Sequence, residues 1–572
     1  MSLPVEALGR FFEVIFLAQA NDDLRLDVNG IDWLLLAIYF ATVLGIGFAA
    51  RLTVRSSVDF FLSGRSMPAW ITGLAFLSAN LGATEILGMA ANGAQYGLMT
   101  THYYWIGAVP AMVFLGIVMM PFYYKSGVHS VPEFLRRRFN SATQLLNAVS
   151  FAIAQVLIAG INLYALALVM RALVGWPLPV SVVVAAIFVL IYITLGGLSS
   201  AIYNEVLQFF VIVAGLIPVV YLGLRKVGGI SGLKDAINQS PLGNPGLHTW
   251  ADTGFGTPNP MNASWLGIVL GLGFVLSFGY WTTNFAEVQR GLSAKNTAAA
   301  RMTPIVAAFP KIFIPILTVV PGMVALVVFP QLSQPGADYN NAIPLLMGDV
   351  LPNGVLGVAL TGLLASFMAG MAANVSGFNT VFTYDIWKPY LMKGRTDHYY
   401  LNTGRWVTVI GVVCGIFTAF IAAQYSNIMA YMQQLFSFFN APLFATFIVG
   451  LLWRRMTPWA GFWGLLIGTL SAVVSYVLYE TGVLRDFYGT DLNASFWGAG
   501  IAFVVDVVVS IVVSKMTART AKSTAELRGL VRGIPSDRPD DFQTGDDKWY
   551  RSPVKLGLGA LVLSLACYIP FW

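Results

Sequence analysis

Charge is what this 572-residue chain has least of: Asp, Glu, Lys and Arg make up 10% of it, against 57% hydrophobic residues. Mean hydropathy is +0.71, which excludes a soluble enzyme built on one buried core. Cysteine is almost missing. Cys414 and Cys567 both fall in apolar runs, so neither a disulfide framework nor thiolate metal chemistry is expected. Histidine is scarce too: His129, His248 and His398 read as loop residues, and His102 as an interfacial residue near the start of a span. No HExxH, no P-loop and no GxSxG in a strand-turn-helix setting occurs, so the chain is not expected to be an enzyme or to hold a cofactor.

What is there is apolar sequence in lengths that cross a bilayer. Runs at 31–50, 68–92, 99–124, 141–173, 178–196 and 203–223 precede a polar loop. Further runs follow at 263–289, 300–330, 353–386, 404–423, 427–450, 457–480, 492–514 and 553–571. The expectation is an all-α polytopic membrane protein with about fourteen transmembrane helices. Residues 1–30 read as an N-terminal segment forming an interfacial helix, since the apolar stretch lacks a basic flank and Glu13 interrupts it. Residues 515–552 mix Lys, Arg, Asp, Ser and Pro and read as a solvated linker before a final helix at 553–572.

The net charge of +6 comes from loops. Arg51, Arg55 and Arg65 share one loop; Lys125 and Arg136 to Arg138 share the next but one; Arg290, Lys295 and Arg301, then Lys388 to Arg405, then Arg454 and Arg455 continue the pattern. Intervening loops near 93–98, 174–177, 331–352 and 424–426 hold no Lys or Arg. By the positive-inside rule the basic loops face the cytoplasm and both termini lie outside, with a bacterial inner membrane as the default. The exception is the loop at 224–262, with Arg225, Lys226 and Lys234, and long loops obey the rule poorly. The expected partners are a small solute and the lipid bilayer, with no nucleic acid and no obligate protein partner.

The stretch from Trp70 to Tyr104 is apolar enough to span, yet carries Asn80, Gly82, Thr84 and Glu85 in its middle. Lipid penalises both loose backbone and charge, so this segment must face protein or water. A helix broken at Asn80-Leu81-Gly82 would free backbone groups at mid-membrane depth, as the discontinuous helices of secondary transporters do. The alternative is a glycine-rich packing helix with a paired or snorkelling Glu85. A second interruption around Ser277, Gly279 and Thr282 to Asn284 suggests that two five-helix groups, 68–223 and 263–450, are inverted repeats. One helix at 31–52 precedes them and peripheral helices at 457–514 follow.

The motifs FFLSGRSMPAW (60–70), SANLGATEILGM (78–89), GVHSVPEFLRRRFN (127–140), GGLSSAIYNEVLQ (196–208), NFAEVQR (284–290), GFNTVFTYDIWKPY (377–390) and FIVGLLWRRMTPWAG (447–461) occur in collinear order. Together they resemble the sodium/solute symporter family, which includes sodium/glucose and sodium/proline cotransporters. The resemblance implies a LeuT-like fold, alternating access and sodium as coupling ion. Sugar-transporting members use a polar residue at the position of Glu85, a glutamate at Tyr104, an asparagine near Ser277, a lysine at Lys311 and a glutamine at Gln434. This chain keeps Lys311 and a Gln433-Gln434 pair but lacks the glutamate and the asparagine. With fewer groups to hold hydroxyls, an anion facing Lys311 or a zwitterion bridging Glu85 and Lys311 is as plausible as a hexose. Met89, Tyr103 and Tyr280 resemble the family's gating side chains, and Asn80 and Asn284 flank the two breaks. As isolated residues, Lys311 also reads as a snorkelling lysine, the glutamines as interhelical hydrogen bonders, and the aromatic and sulfur side chains as packing.

For sodium the resemblance implies carbonyls at Ser78, Leu81 and Ser366 and a pair of hydroxyl side chains at Ala369 and Gly370. Neither of the last two can coordinate a cation. Three readings stay open: a shifted register; sodium held by the Ser78 or Ser366 hydroxyl and water; or coupling to protons or to no ion. Glu85 is the candidate proton carrier, and Glu205 a second ion or proton relay or a carboxylate paired with loop arginines. A transporter-like solute sensor is the remaining alternative, and a channel pore is not visible.

Overall fold

The computed structural model describes residues 26–51, 61–334, 336–535 and 548–572; most of the expected N-terminal helix lies outside them. Helix α1, Gly30–Arg51, leads. Two bent pairs then shape the centre: α2 (Ala69–Asn80) meets α3 (Thr84–Thr101) at 62°, and further on α9 (Gly267–Thr283) meets α10 (Phe285–Leu292) at 50°. Between the pairs lie α4 (Tyr103–Ser126), the short α5 (Val131–Arg138), α6 (Ser141–Val174), α7 (Leu178–Lys226) and α8 (Gly229–Asn238). After them come α11 (Thr297–Val328), α12 (Ala342–Val350), α13 (Val355–Leu391), α14 (Asp397–Ala422), α15 (Ile428–Leu452), α16 (Pro458–Glu480), α17 (Asp491–Met516) and α18 (Pro553–Ala566). Among the described residues, 11 helices are long and apolar enough to cross a membrane, or up to 13 with each bent pair as one span. No strand forms among them.

Capping residues account for where several of these helices start. The side chains of Asn140 and Asn296 accept the backbone N–H of Thr143 and Ala299 at the heads of α6 and α11, satisfying donors that a helix start leaves open. Gly175 ends α6 in the left-handed region at φ 75°, where any other residue would be strained.

Three expectations need correction, while the runs at 178–196 and 203–223 stay apart: the apolar stretches of α7 are Leu178–Ile191 and Leu198–Lys226, and the chain reverses between them. Phe188 packs on Phe40 at 4.2 Å between ring centres, and Gln208 donates to the Tyr39 hydroxyl at 3.1 Å. Twenty straight helical residues would set these two about 30 Å apart, so the chain folds back between them. The second interruption is confined to Asn284, because Ser277 and Gly279 lie within α9. His102 is buried, not interfacial, with Nε2 2.6 Å from the Thr249 carbonyl and Nδ1 2.8 Å from the Tyr568 hydroxyl. The solvated linker is partly packed: Leu527, Leu530 and Val531 are buried, and the Arg532 N–H donates to the Leu451 carbonyl at 2.9 Å.

The two ends of the bundle differ in polarity. At one end Asp32 accepts from the N–H groups of Gly354 and Gly357 at 2.7 Å, and the terminal Trp572 carbonyl meets His248. At the basic end, α5 holds the loops together. Arg138 is buried and gives its guanidinium to the carbonyls of Gly450, Trp453 and Met456 at the end of α15. Glu133 accepts from the His129 N–H at 2.8 Å and from Arg137 at 2.5 Å. Burial alone would push its carboxyl up, but the His129 and Arg137 hydrogen bonds outweigh it and hold the pKa at about 2. A depressed carboxylate stabilises the fold above its ordinary value near 4.5 and loses that contribution as pH falls toward 2. Glu133→Gln should therefore cost about 2 kcal/mol at neutral pH, and thermal unfolding in detergent at stepwise lower pH should show the gap to the parent chain closing.

Candidate functional site

The break between α2 and α3 generates the site. α2 ends at Asn80, and Leu81 and Gly82 leave the helix before Ala83 leads into the π-helical turn Thr84–Gly88 that starts α3. Asn80 and Glu85 are thereby turned toward α9 and α11. Lys311, from the middle of α11, donates to Asn80 Oδ1 at 2.5 Å and to Glu85 Oε1 at 2.7 Å. Its ammonium also lies 5.1 Å from the Tyr104 ring centre and 5.4 Å from that of Trp281. Lysine and glutamate are 2% and 6% exposed, so Lys311 does not snorkel and Glu85 is a paired intramembrane carboxylate.

One cavity opens beside this pair. Asn80, Glu85, Met89, Tyr103, Tyr104, Ser277, Tyr280, Lys311 and Gln433 line it, as do Thr84, Trp281, Met429, Met432 and Phe436. Tyr280 stacks on Phe436 at 4.5 Å and closes one side. Ser277 turns its hydroxyl to the Leu272 carbonyl at 2.8 Å, and the Tyr104 hydroxyl pairs with Thr318 at 2.9 Å. The Tyr103 hydroxyl and Gln433 Oε1 are buried without partners, so both remain open to a ligand group. Asn284 is elsewhere: it caps α10 by accepting the Ala286 N–H at 3.0 Å. Gln434 also lies off the cavity lining, with Oε1 3.5 Å from the Tyr425 hydroxyl.

The position expected for sodium is the crossing of the α2–α3 break with α13. Here Ser366 gives its hydroxyl to the Leu81 carbonyl in a short hydrogen bond, so two of the expected ligands satisfy each other. The Ser78 carbonyl accepts the Leu81 N–H at 3.1 Å. Asn162, from α6, fills the remaining gap. Its Oδ1 accepts the Ala83 N–H at 2.9 Å and sits 2.5 Å from where a Cβ on Gly370 would be, close to the place a hydroxyl side chain would occupy. Ala369 and Gly370 supply no side-chain oxygen, and the buried Ser78 Oγ, without a partner, is a single spare ligand. A hard cation needs about six oxygens; the carbonyls remain, but without the two hydroxyls and with Asn162 in their place the side chains present do not fit the ion site that the resemblance implies.

Glu205 forms a buried ion pair with Arg290, through a short bond from Nη2 and a 3.2 Å bond from Nε, which uses both carboxylate oxygens. Two residues that matter to the site escaped the sequence reading. Asn162 looks like any polar residue in a long helix and carries no local signal. Glu287 does carry one, since it is a carboxylate three residues past Asn284 in an apolar span, the same cue that singled out Glu85.

Residues 60–468 match the model of the Sodium:solute symporter family. The chain belongs to that family. Its members are transporters and not enzymes, and this one is a multi-pass membrane protein with a LeuT-like fold. It is 29% identical over 462 residues to a sodium/glucose cotransporter of Vibrio parahaemolyticus, covering 77% of this chain and 84% of that protein. It is 28% identical over 501 residues to sodium/glucose cotransporter 1 of Ovis aries, covering 81% and 74%. Among solved structures, a Na+-coupled sialic acid symporter in a substrate-bound outward-open state superposes with a TM-score of 0.69 at 20% identity, over 87% of this chain and 100% of that one.

Two outcomes are expected of this symporter-family site. Lys311→Met and Glu85→Gln each strand a buried group and should cost about 3–5 kcal/mol; the double variant should cost less than the sum when unfolding is followed in a double-mutant cycle. Gly370→Ser should lower stability by about 1–3 kcal/mol, because its Cβ meets Asn162 Oδ1, and the same thermal assay would register it.

Proposed function

We propose that this chain is a secondary active transporter that imports a small polar organic solute, a sugar, carboxylate or amino acid, by alternating access. The observation that carries the reading is the Glu85–Lys311 pair beside an aromatic-walled cavity at two broken helices. Binding energy there comes from a few convergent polar groups and ring faces. The presence of both charge signs, with the Tyr103 hydroxyl and Gln433 unpartnered, favours a solute with a carboxylate, or a zwitterion, over a plain hexose. The solute would act by binding the outward and inward states unequally, the only way a ligand shifts such an equilibrium.

Within this reading, 68–223 and 263–450 are the inverted repeats, each opened by a bent pair, which supports the division. The basic loops support an orientation with both termini external, and a bacterial inner membrane is the default residence. Sodium is the coupling ion that family membership implies. The Ser366–Leu81 bond and Gly370 favour the third reading, transport coupled to protons or to no ion.

The test is solute exchange in proteoliposomes with labelled glucose, myo-inositol, lactate, proline and alanine, without ion gradients. At least one should exchange saturably, and Lys311→Met should weaken it roughly tenfold to a hundredfold, as loss of a charged hydrogen bond does. Saturable binding without exchange would favour the sensor reading instead.

A further inference from the structure

The interior near the cavity holds three carboxylates, Glu85, Glu205 and Glu287, and two cations, Lys311 and Arg290. Glu85 is paired with Lys311, and Glu205 with Arg290. Arg290 spends its remaining reach on the Ala286 carbonyl at 2.5 Å. Glu287 is therefore the odd one out. It is 2% exposed; Oε1 accepts from the Tyr280 hydroxyl at 2.6 Å, and Oε2 is buried with no partner. A buried carboxylate without a counter-ion is costly and resolves the cost by acquiring a cation. Oε2 meets no hydrogen-bond donor among the described residues, and a proton on the carboxyl cancels the charge without recruiting the several oxygen ligands that a metal ion needs.

Around Glu287, α9 presents Tyr280, α10 itself presents Arg290, α7 Glu205 and α11 Lys311. α2 and the Val355–Val381 part of α13 contain no titratable side chain. The end of α4 contributes Tyr123, Tyr124 and Lys125; the two tyrosines donate to the carbonyls of Thr282 and Ala294. A hydrogen-bonded line then leads from Glu287 to the cavity. The Tyr280 hydroxyl that donates to Glu287 accepts from Asn80 Nδ2 at 3.0 Å, and Asn80 Oδ1 accepts from Lys311, which holds Glu85.

We propose that Glu287 is the coupling-cation site of this transporter and that the cation is a proton. The proposal rests on the transport reading above. The proton adds to a Glu287 oxygen on the side of high proton activity and leaves from it on the other; no bond other than O–H forms or breaks. An ionised Glu287 requires Tyr280 as donor, while a neutral one releases that demand, so the charge state reaches the cavity wall through Tyr280 and Asn80. By linkage, the solute then raises the proton affinity of Glu287 by the same factor as the proton raises solute affinity.

The experiment uses the full chain, purified and reconstituted. Infrared difference spectra over a pH titration, with no solute, should show a protonated-carboxyl band that is missing from Glu287→Gln; superimposable spectra would overturn the proposal. Glu287→Asp should keep such a band at a shifted position, which preserves the test if the glutamine variant fails to fold. Counterflow of labelled glucose, myo-inositol, lactate, proline and alanine at equal pH tests transport by itself, so its failure strikes the transport reading and leaves the infrared result standing on Glu287. For a probe that exchanges, an inside-alkaline gradient should drive accumulation without sodium, and Glu287→Gln should lower accumulation relative to its own exchange roughly tenfold, the effect of one pKa unit of coupling. Proton-driven accumulation that survives this substitution, or accumulation driven by sodium alone at equal pH, would overturn the assignment.

Discussion

Inside a bilayer every backbone polar group and every charge must find its partner within the protein, and the broken α2–α3 helix is the place where this constraint bites hardest. Opening a helix at Leu81 and Gly82 exposes a carbonyl and an amide far from water. Ser366 takes the Leu81 carbonyl and Asn162 takes the Ala83 N–H. The first needs α13 to come close, and the second needs room for Asn162 of α6 beside it. Both are met because Gly370 faces Gly82: a Cβ on either would approach the other's Cα to 2.9–3.2 Å and Asn162 Oδ1 to 2.5–2.6 Å. The missing hydroxyl at Gly370 is thus more than the loss of an ion ligand. It is part of a different way of closing the same break.

The same constraint governs the charges. Lys311 and Glu85 can be buried because each neutralises the other and because Asn80, Tyr104 and Trp281 surround the ammonium with acceptors and ring faces. Glu205 and Arg290 repeat the arrangement nearer the basic end. A transporter needs groups whose free energy changes between states, and fully satisfied pairs change little. The unpartnered atoms of Tyr103, Gln433 and Glu287 are where the interior has capacity left.

Much of the fold was legible in the chain. Apolar runs of bilayer length correspond to the observed helices within a few residues at most positions, because the hydrophobic thickness of a membrane leaves little freedom in length. The break at Asn80-Leu81-Gly82 was readable because Gly, Asn and Glu are expensive in lipid, and it lies where expected. The turn inside α7 was marked only by the short gap between the runs ending at 196 and starting at 203. The burial of His102 and of Leu527 to Val531 was hidden, as both depend on segments distant in sequence: Thr249 and Tyr568 in one case, the end of α15 in the other.

At the site, sequence alone determined which residues were too costly to face lipid, Asn80, Glu85 and Lys311 among them, and that Ala369 and Gly370 carry no side-chain oxygen. These are properties of single residues in an apolar context. Only the tertiary structure decided who meets whom: that Glu85 pairs with Lys311, that Arg290 is spent on Glu205 and leaves Glu287 alone, that Asn284 caps a helix, and that Asn162 fills the space beside Gly370. The reason is physical. Burial cost is local and can be read along a chain, whereas compensation comes from partners tens to hundreds of residues away, brought within 3 Å by helix packing.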